Sequence, residues 1–218
     1  GRAVSKKFAK HGAVIAITYF KEKILAKSLI NSLPGSNHNC FQLDISDKDQ
    51  VQNTIEDAIS SLGGLDIVIN NAGIFIEHPI FEVTYDGWQD SWNSTVETNL
   101  IGPANVCYIA GSYFKKKKKG KIINISSRGA NRGEPTAPAY GASKAGLNAL
   151  SQSLAIALAP YNIFVGVVAP GFVETDMTTE ILSSSTGDII KNQSPMNRVG
   201  QPEEIANVIA FLTSDEAG

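Results

Sequence analysis

Short runs dominated by apolar residues alternate along this chain with longer amphipathic stretches, and that alternation limits the fold more than any other feature. The runs cover 14–18, 39–43, 65–70, 121–126 and 163–168, and they are rich in β-branched residues. Helical spacing of apolar residues predicts helices at 2–10, 21–32, 47–62, 86–114, 138–159 and 202–213. A strand with no polar alternation suits a sheet covered on both faces. Strand–helix–strand alternation of such runs predicts an α/β fold, a doubly wound parallel sheet of the Rossmann type. Right-handed crossovers then gather the strands' carboxyl ends along one edge, where ligands bind in this architecture.

A length of 218 residues fits one domain, 1–218, with enough buried surface to need no disulfide staples. Two cysteines, Cys40 and Cys107, make no disulfide scaffold and show no metal-ligand spacing. No apolar run reaches the roughly 18 residues that a bilayer span requires. A net charge of −2 argues against nucleic acid as a partner. The five lysines from Lys115 to Lys119 read as a solvated loop that ends a helix, favourably placed at its negative terminus. His11, His38 and His78 are scattered, so no metal is expected, and they read as surface or loop residues. Trp88 and Trp92, four apart, read as packing.

Tyr140 and Lys144 open a long helical pattern and share one face, a turn apart. A free phenol titrates near pH 10, and a neighbouring ammonium favours its anion. Poising it at neutrality takes about three pKa units, or about 4 kcal/mol. Such a phenol passes a proton to or from an alcohol oxygen. Upstream, the run at 121–126 leads into Ser126 and Ser127, which point to opposite faces; either is a polar strand end or a ligand for a carbonyl.

Asn70-Asn71-Ala72-Gly73 after a strand, Asn99 within ETNLIG, the paired serines, Tyr140-x-x-x-Lys144 and Ala169-Pro170-Gly171 together resemble the short-chain dehydrogenase/reductase family, in order and separation, from end to end. The stretches APGFVETDM and PEEIANVIAFLTSDEA are most similar to its 3-oxoacyl-acyl-carrier-protein reductase group. The resemblance implies Tyr140 as proton donor, and Lys144 as the group that lowers its pKa and holds the nicotinamide ribose. It selects Ser127, thirteen residues before the tyrosine, over Ser126. It implies that Asn99 interrupts a helix and anchors a proton-relaying water; otherwise Asn99 is an ordinary mid-helix polar residue. For the cofactor it implies Asp44 and Ile45 beside adenine, and Asn71, Ala72 and Gly73 beside the adenosine ribose. Pro170, Gly171, Val173 and Thr175 would follow the nicotinamide carboxamide. Asp44 could otherwise cap a helix, and Gly73 could be a plain turn glycine.

The family's acidic, NAD-selecting position falls at Tyr19, followed by Phe20 and Lys21. With no acid there, and with Lys21 or Arg2 able to meet a 2′-phosphate, NADP is expected over NAD. Gly1 matches the last glycine of the family's phosphate cradle. The first and last strands of the family fold are therefore expected to be missing, with weak cofactor binding as the consequence. The reading is an NADP-dependent reductase of a small-molecule carbonyl, with 3-oxoacyl groups on acyl carrier protein among the implied substrates. Dehydrogenation of sugars, polyols or other small alcohols is the alternative within that chemistry, and a non-catalytic dinucleotide-fold scaffold the alternative outside it. The resemblance further implies a homo-oligomer, a dimer or tetramer, and a substrate-side lid at 177–197. A cytoplasmic location is expected, with an organelle open because a targeting peptide would precede Gly1.

Overall fold

The computed structural model describes residues 1–217 apart from Asp176, Met177 and Ser184, and only the backbone of Glu180 and Ile181. Its elements in chain order are α1 (Arg2–Lys10), β1 (Ala16–Tyr19), α2 (Lys23–Ser32), β2 (Asn39–Gln42), α3 (Lys48–Leu62), β3 (Ile67–Asn70) and α4 (Tyr85–Val96). A π-helical turn, Glu97–Ile101, then leads into α5 (Gly102–Lys117). After it come β4 (Gly120–Ile125), α6 (Pro138–Leu158), β5 (Ile163–Val168), α7 (Thr179–Ser183), α8 (Gly187–Asn192) and α9 (Pro202–Leu212). The expected strands and helices are present to within a few residues. The helix expected over 86–114 is broken in two by the π turn.

All strand pairs are parallel, and they form two sheets, β1–β2 and β3–β4–β5. The chain winds one way through β1 and β2 and the other way through β3 to β5, as a doubly wound fold requires. Among the described residues, β1 and β3 each pair on one side only. The two sheets share a core, since Leu43 just after β2 packs with Val68 of β3.

Strand β4 shows why apolar residues stand side by side in its run. Ile122 faces Val106 and Phe114 of α5, while Ile123 faces Val168 and Ile209, with Val4 and Phe8 of α1 alongside. Both isoleucines are fully buried, on opposite faces. Local signals set the helix ends. The Asp47 carboxylate accepts from the backbone N–H of Asp49 (2.9 Å) and Gln50 (3.0 Å) at the start of α3. Gly63, in the left-handed conformation, stops it. Proline sits in the first turn of α5, α6 and α9, where its missing N–H costs nothing.

The lysine run is less detached than expected. Lys115 to Lys117 belong to α5, Lys117 pairs with Asp66, and the Lys115 ammonium lies 4.6 Å from the Tyr161 ring centroid. Long alkyl stems let lysines extend a helix while their charges remain wet. No helix among the described residues is long and apolar enough to cross a membrane.

Candidate active site

The first turn of α6 carries Tyr140, and the second carries Lys144 on the same face. Pro138 presets the entry, but Ala137 provides no side-chain cap. The cap comes from elsewhere: His78 Nε2 accepts the Ala139 N–H at 3.2 Å, and its Nδ1 faces the Ile76 carbonyl at 2.8 Å. His78 is fully buried, with Trp88 edge-on to its ring at 5.3 Å. His78 does lie in the loop after β3, one of the two expected settings, but it is buried and not on the surface. Its ring is more useful satisfying an orphan helix donor than facing water.

Lys144 joins α6 to the end of β4. Its Nζ donates to the Ile125 carbonyl at 2.8 Å, and its own carbonyl accepts from Ser126 Oγ at 3.3 Å. Ser126 is thus turned inward and structural. Ser127, on the other face, accepts from the Gly129 N–H at 3.1 Å, and its hydroxyl lies near enough to the Tyr140 phenol to draw its pKa down. The alternation of the strand end therefore separates the two serines as expected.

The electrostatics differ from the sequence reading. Burial pushes the Tyr140 phenol above its ordinary value, the Ser127 hydroxyl draws it back, and Glu134 pushes it up again. Burial brings the Lys144 amine down to about 8. The ammonium lies 5.8 Å from the Tyr140 ring centroid, and Phe75 closes the other side edge-on at 5.0 Å. Desolvation of both groups outweighs their mutual attraction, so the phenol keeps its proton at neutral pH.

Asn99 sits in the π turn and is fully buried. Its Oδ1 accepts from the Ile74 N–H (2.8 Å), and its Nδ2 donates to the Ile74 carbonyl (2.9 Å) and to Ser143 Oγ (3.3 Å). Ser143 in turn donates to the Tyr140 carbonyl at 2.8 Å. The side chain is a clamp that fixes the Gly73–Ile74 turn to α6. Gly73 has no room for more: a Cβ there would lie 3.3 Å from Asn99 Oδ1 and 3.4 Å from Lys144 Nζ. The turn glycine and the helix lysine are therefore parts of one site.

The remaining expected cofactor residues sit along the same edge. Asn71 and Ala72 follow β3, and a Cβ on Gly1 would come within 3.5 Å of Asn71 Nδ2, which places the start of α1 beside them. The Asp44 carboxylate accepts from the N–H (3.0 Å) and Oγ (2.6 Å) of Ser46; the helix cap is Asp47, so Asp44 is not one. The Ile45 carbonyl would be 2.5 Å from a Cβ on Gly102, so α5 can approach it only because that residue is glycine. Pro170 accepts from the Arg128 N–H (2.9 Å), Val173 bridges to Gly200, and the Thr175 N–H donates to Thr178 Oγ1 at 2.9 Å. Gly171 and Val173 line a cleft of about 450 Å³ with Gln193 and Met196, which lie in the expected lid. Met177, the lid's first expected residue, lies outside the described residues.

Several supports escaped the sequence reading. Asn70 Nδ2 donates to Asn124 Oδ1 (2.7 Å), and Asn124 Nδ2 donates to Ser151 Oγ (2.8 Å), a buried ladder from β3 through β4 to α6. Cys107 lies against it, and burial pushes its thiol up to about 11, so it stays an inert SH. Asparagine inside an apolar strand was the available signal, since a buried amide needs partners.

A doubly wound parallel sheet carrying a Ser–Tyr–Lys cluster at its carboxyl edge defines a nucleotide-dependent oxidoreductase. A family model described as "Enoyl-(Acyl carrier protein) reductase" matches residues 1–218, and the chain belongs to the short-chain dehydrogenase/reductase family. It is 34% identical over 219 residues to the 3-oxoacyl-[acyl-carrier-protein] reductase FabG of Staphylococcus aureus, covering 100% of this chain and 87% of that protein. The FabG proteins of Thermotoga maritima and Escherichia coli are 36% and 35% identical, covering 87% and 86% of their lengths and 100% of this chain. Among solved structures, ElxO with NADP bound superposes with a TM-score of 0.88 at 28% identity, over 99% of this chain and 87% of that one. NAD+-bound xylitol dehydrogenase gives 0.89 at 24% identity, over 100% and 88%, and speaks for the fold alone. The chain is an NAD(P)-dependent oxidoreductase acting on CH–OH groups.

Proposed function

We propose that this protein uses NADPH to reduce the ketone of a 3-oxoacyl thioester to a secondary alcohol, with Ser127, Tyr140, Lys144 and Asn99 as its working residues. The observation that carries the reading is the state of the pair. Tyr140 and Lys144 share one face of α6 with the ammonium 5.8 Å from the ring, and Ser127 just after β4 draws down a phenol that burial otherwise keeps protonated.

The residues present fit a nicotinamide dinucleotide. Lys144 has three N–H donors, and one bond, to Ile125, accounts for only one of them; the others suit ribose hydroxyls. Gly171 faces open space, with nothing within 4 Å of a Cβ placed on it. Asp44, Ile45, Asn71, Ala72 and Gly73 would hold the adenosine end, and Pro170, Gly171, Val173 and Thr175 the carboxamide end. When bound, the reduced nicotinamide supplies hydride to the carbonyl carbon.

Ser127 donates to the substrate oxygen and holds it beside Tyr140. The phenol then gives that oxygen its proton as negative charge gathers there. Raised acidity in advance is unnecessary, because the Lys144 ammonium stabilises the phenolate as it forms. Asn99 holds the Gly73–Ile74 turn against Ser143 and so sets where Tyr140 stands.

The choice of NADP rests on the end of β1. Tyr19, Phe20 and Lys21 offer no carboxylate there, and the Lys21 ammonium lies 5.1 Å from the Phe20 ring centroid. Kinship with FabG, whose name specifies a 3-oxoacyl-[acyl-carrier-protein] substrate, supports the thioester. Exposed Tyr108 on α5 and Ile156 on α6 support self-association through those helices. Absorbance at 340 nm tests the reading, following NADPH and NADH with a 3-oxoacyl thioester and a panel of ketones. Faster turnover with NADPH, at least tenfold in kcat/KM, is expected. NADH preference overturns the cofactor assignment, and turnover of neither substrate type overturns the reductase.

A further inference from the structure

Two guanidinium groups, Arg128 in the cleft and Arg132 beside it, converge on a single neutral oxygen. Arg128 follows Ser127 in the chain, and its guanidinium carbon stands 4.4 Å from the Phe172 ring centroid. Its Nη1 donates to Gln193 Oε1 at 2.7 Å, and Arg132 Nη1 reaches the same oxygen at 3.5 Å. Among the described residues, neither arginine forms an ion pair. Burial and the charge of Arg132 both make the Arg128 proton easier to lose, and nearby Glu134 offsets this in part. Arg198, the other arginine lining this cleft, is already committed to Glu204 through two bonds of 2.7 and 2.6 Å.

Like charges brought together on an uncharged acceptor lose energy that an anion would return. Hydrogen bonds to an ionised acceptor are roughly twice as strong as neutral ones. Contact with the Phe172 ring and the bond to Gln193 already restrict the Arg128 fork, so binding an oxyanion would cost less further ordering. The position lies beside the serine that orients the carbonyl and against Phe172, in the segment expected to follow the nicotinamide. A charge on the substrate, close to its reacting carbon, is what this geometry would meet.

Building on the reductase reading, we propose that Arg128 and Arg132 recognise an oxyanion on the substrate, and that Gln193 Oε1 stands where that oxyanion binds. The anion has two sources, a carboxylate on the carbonyl compound itself or the phosphate of a carrier arm. Matched pairs separate them. One pair is 3-oxobutanoate and its methyl ester; the other is the 3-oxobutanoyl thioester of pantetheine and that of 4′-phosphopantetheine.

With NADPH saturating, the charged member of one pair is expected to show kcat/KM about tenfold or more above its neutral partner. Arg128→Leu is expected to shrink that ratio about tenfold, through the KM of the charged member, and Arg128→Lys to restore part of it. Should Arg128→Leu fail to fold, exposed Arg132 provides the second variant. Arg132→Leu is expected to lower the same ratio about threefold, and salt to raise the charged substrate's KM alone. Ratios near one in the parent, or a ratio unchanged in the variants, overturn the proposal. So does a loss carried by the KM for NADPH, because the arginine would then serve the cofactor. Turnover of the neutral members without charge preference overturns this inference alone; turnover of no member overturns the reductase reading along with it.

Discussion

Lys144 is the residue on which burial and function pull hardest against each other. Its amine titrates at about 8 in the folded chain against 10.5 for an unperturbed lysine. Below pH 8 both folded and unfolded states hold the proton, and the burial penalty is present in full. Between pH 8 and 10.5 the unfolded chain binds more protons, so stability from this group rises with pH. The penalty is of order 3 kcal/mol. Unfolding free energies of the parent and Lys144→Met from urea titration, compared from pH 7 to 10.5, are therefore expected to shift relative to each other by about 2–3 kcal/mol in the parent's favour over that window. A gap independent of pH would count against the buried ammonium. The pairing of Tyr140 with Lys144 was legible in the sequence because a helical turn is local geometry; strand alternation set Ser126 and Ser127 apart, and the resemblance chose between them. The protonation of the pair was not legible, because it depends on Phe75 and Glu134, which reach the site from other segments.

At the scale of elements, the first turn of α6 is held from outside itself. His78 accepts from Ala139, the residue before Tyr140. Loss of a helix-capping acceptor costs about 1 kcal/mol, and an emptied buried ring adds more. His78→Ala is expected to lower stability by about 2–4 kcal/mol and kcat by about tenfold, both read on the purified variant by denaturant titration and initial rates. His78→Asn, which keeps an acceptor, should recover part of each; equal loss in both variants would assign His78 to packing alone. Helix boundaries were largely readable from Asp47, Gly63 and the first-turn prolines. The π turn at Asn99 was not readable from periodicity, because apolar spacing continues through it. Only the resemblance pointed to an interruption. The histidine cap was hidden for another reason: it joins residues 61 apart in the chain.

Across the whole molecule, order is unevenly shared. Strand β4 lies between β3 and β5, and both of its faces are buried; β1 and β2 form a pair by themselves with no fully buried residue. Local opening follows burial, so amides of Ile122 and Ile123 are expected to exchange at least about 100-fold more slowly than those of Ile17 and Phe41. Comparable protection in the two sheets would contradict this division. The parallel winding was visible in the alternation of short, apolar-rich runs with helical stretches. Arg128 and Arg132 beside the cleft had no signal, because the chain brings them to Gln193 only through the fold.

The account turns on Tyr140 giving its proton to the substrate oxygen. Tyr140→Phe removes one oxygen and keeps the ring that packs against Phe75. Rates of NADPH consumption with a 3-oxoacyl thioester are predicted to fall by about 10²–10⁴ in this variant, while NADPH affinity stays within about fivefold of the parent. A Tyr140→Phe protein that reduces the ketone within tenfold of the parent rate would contradict the account.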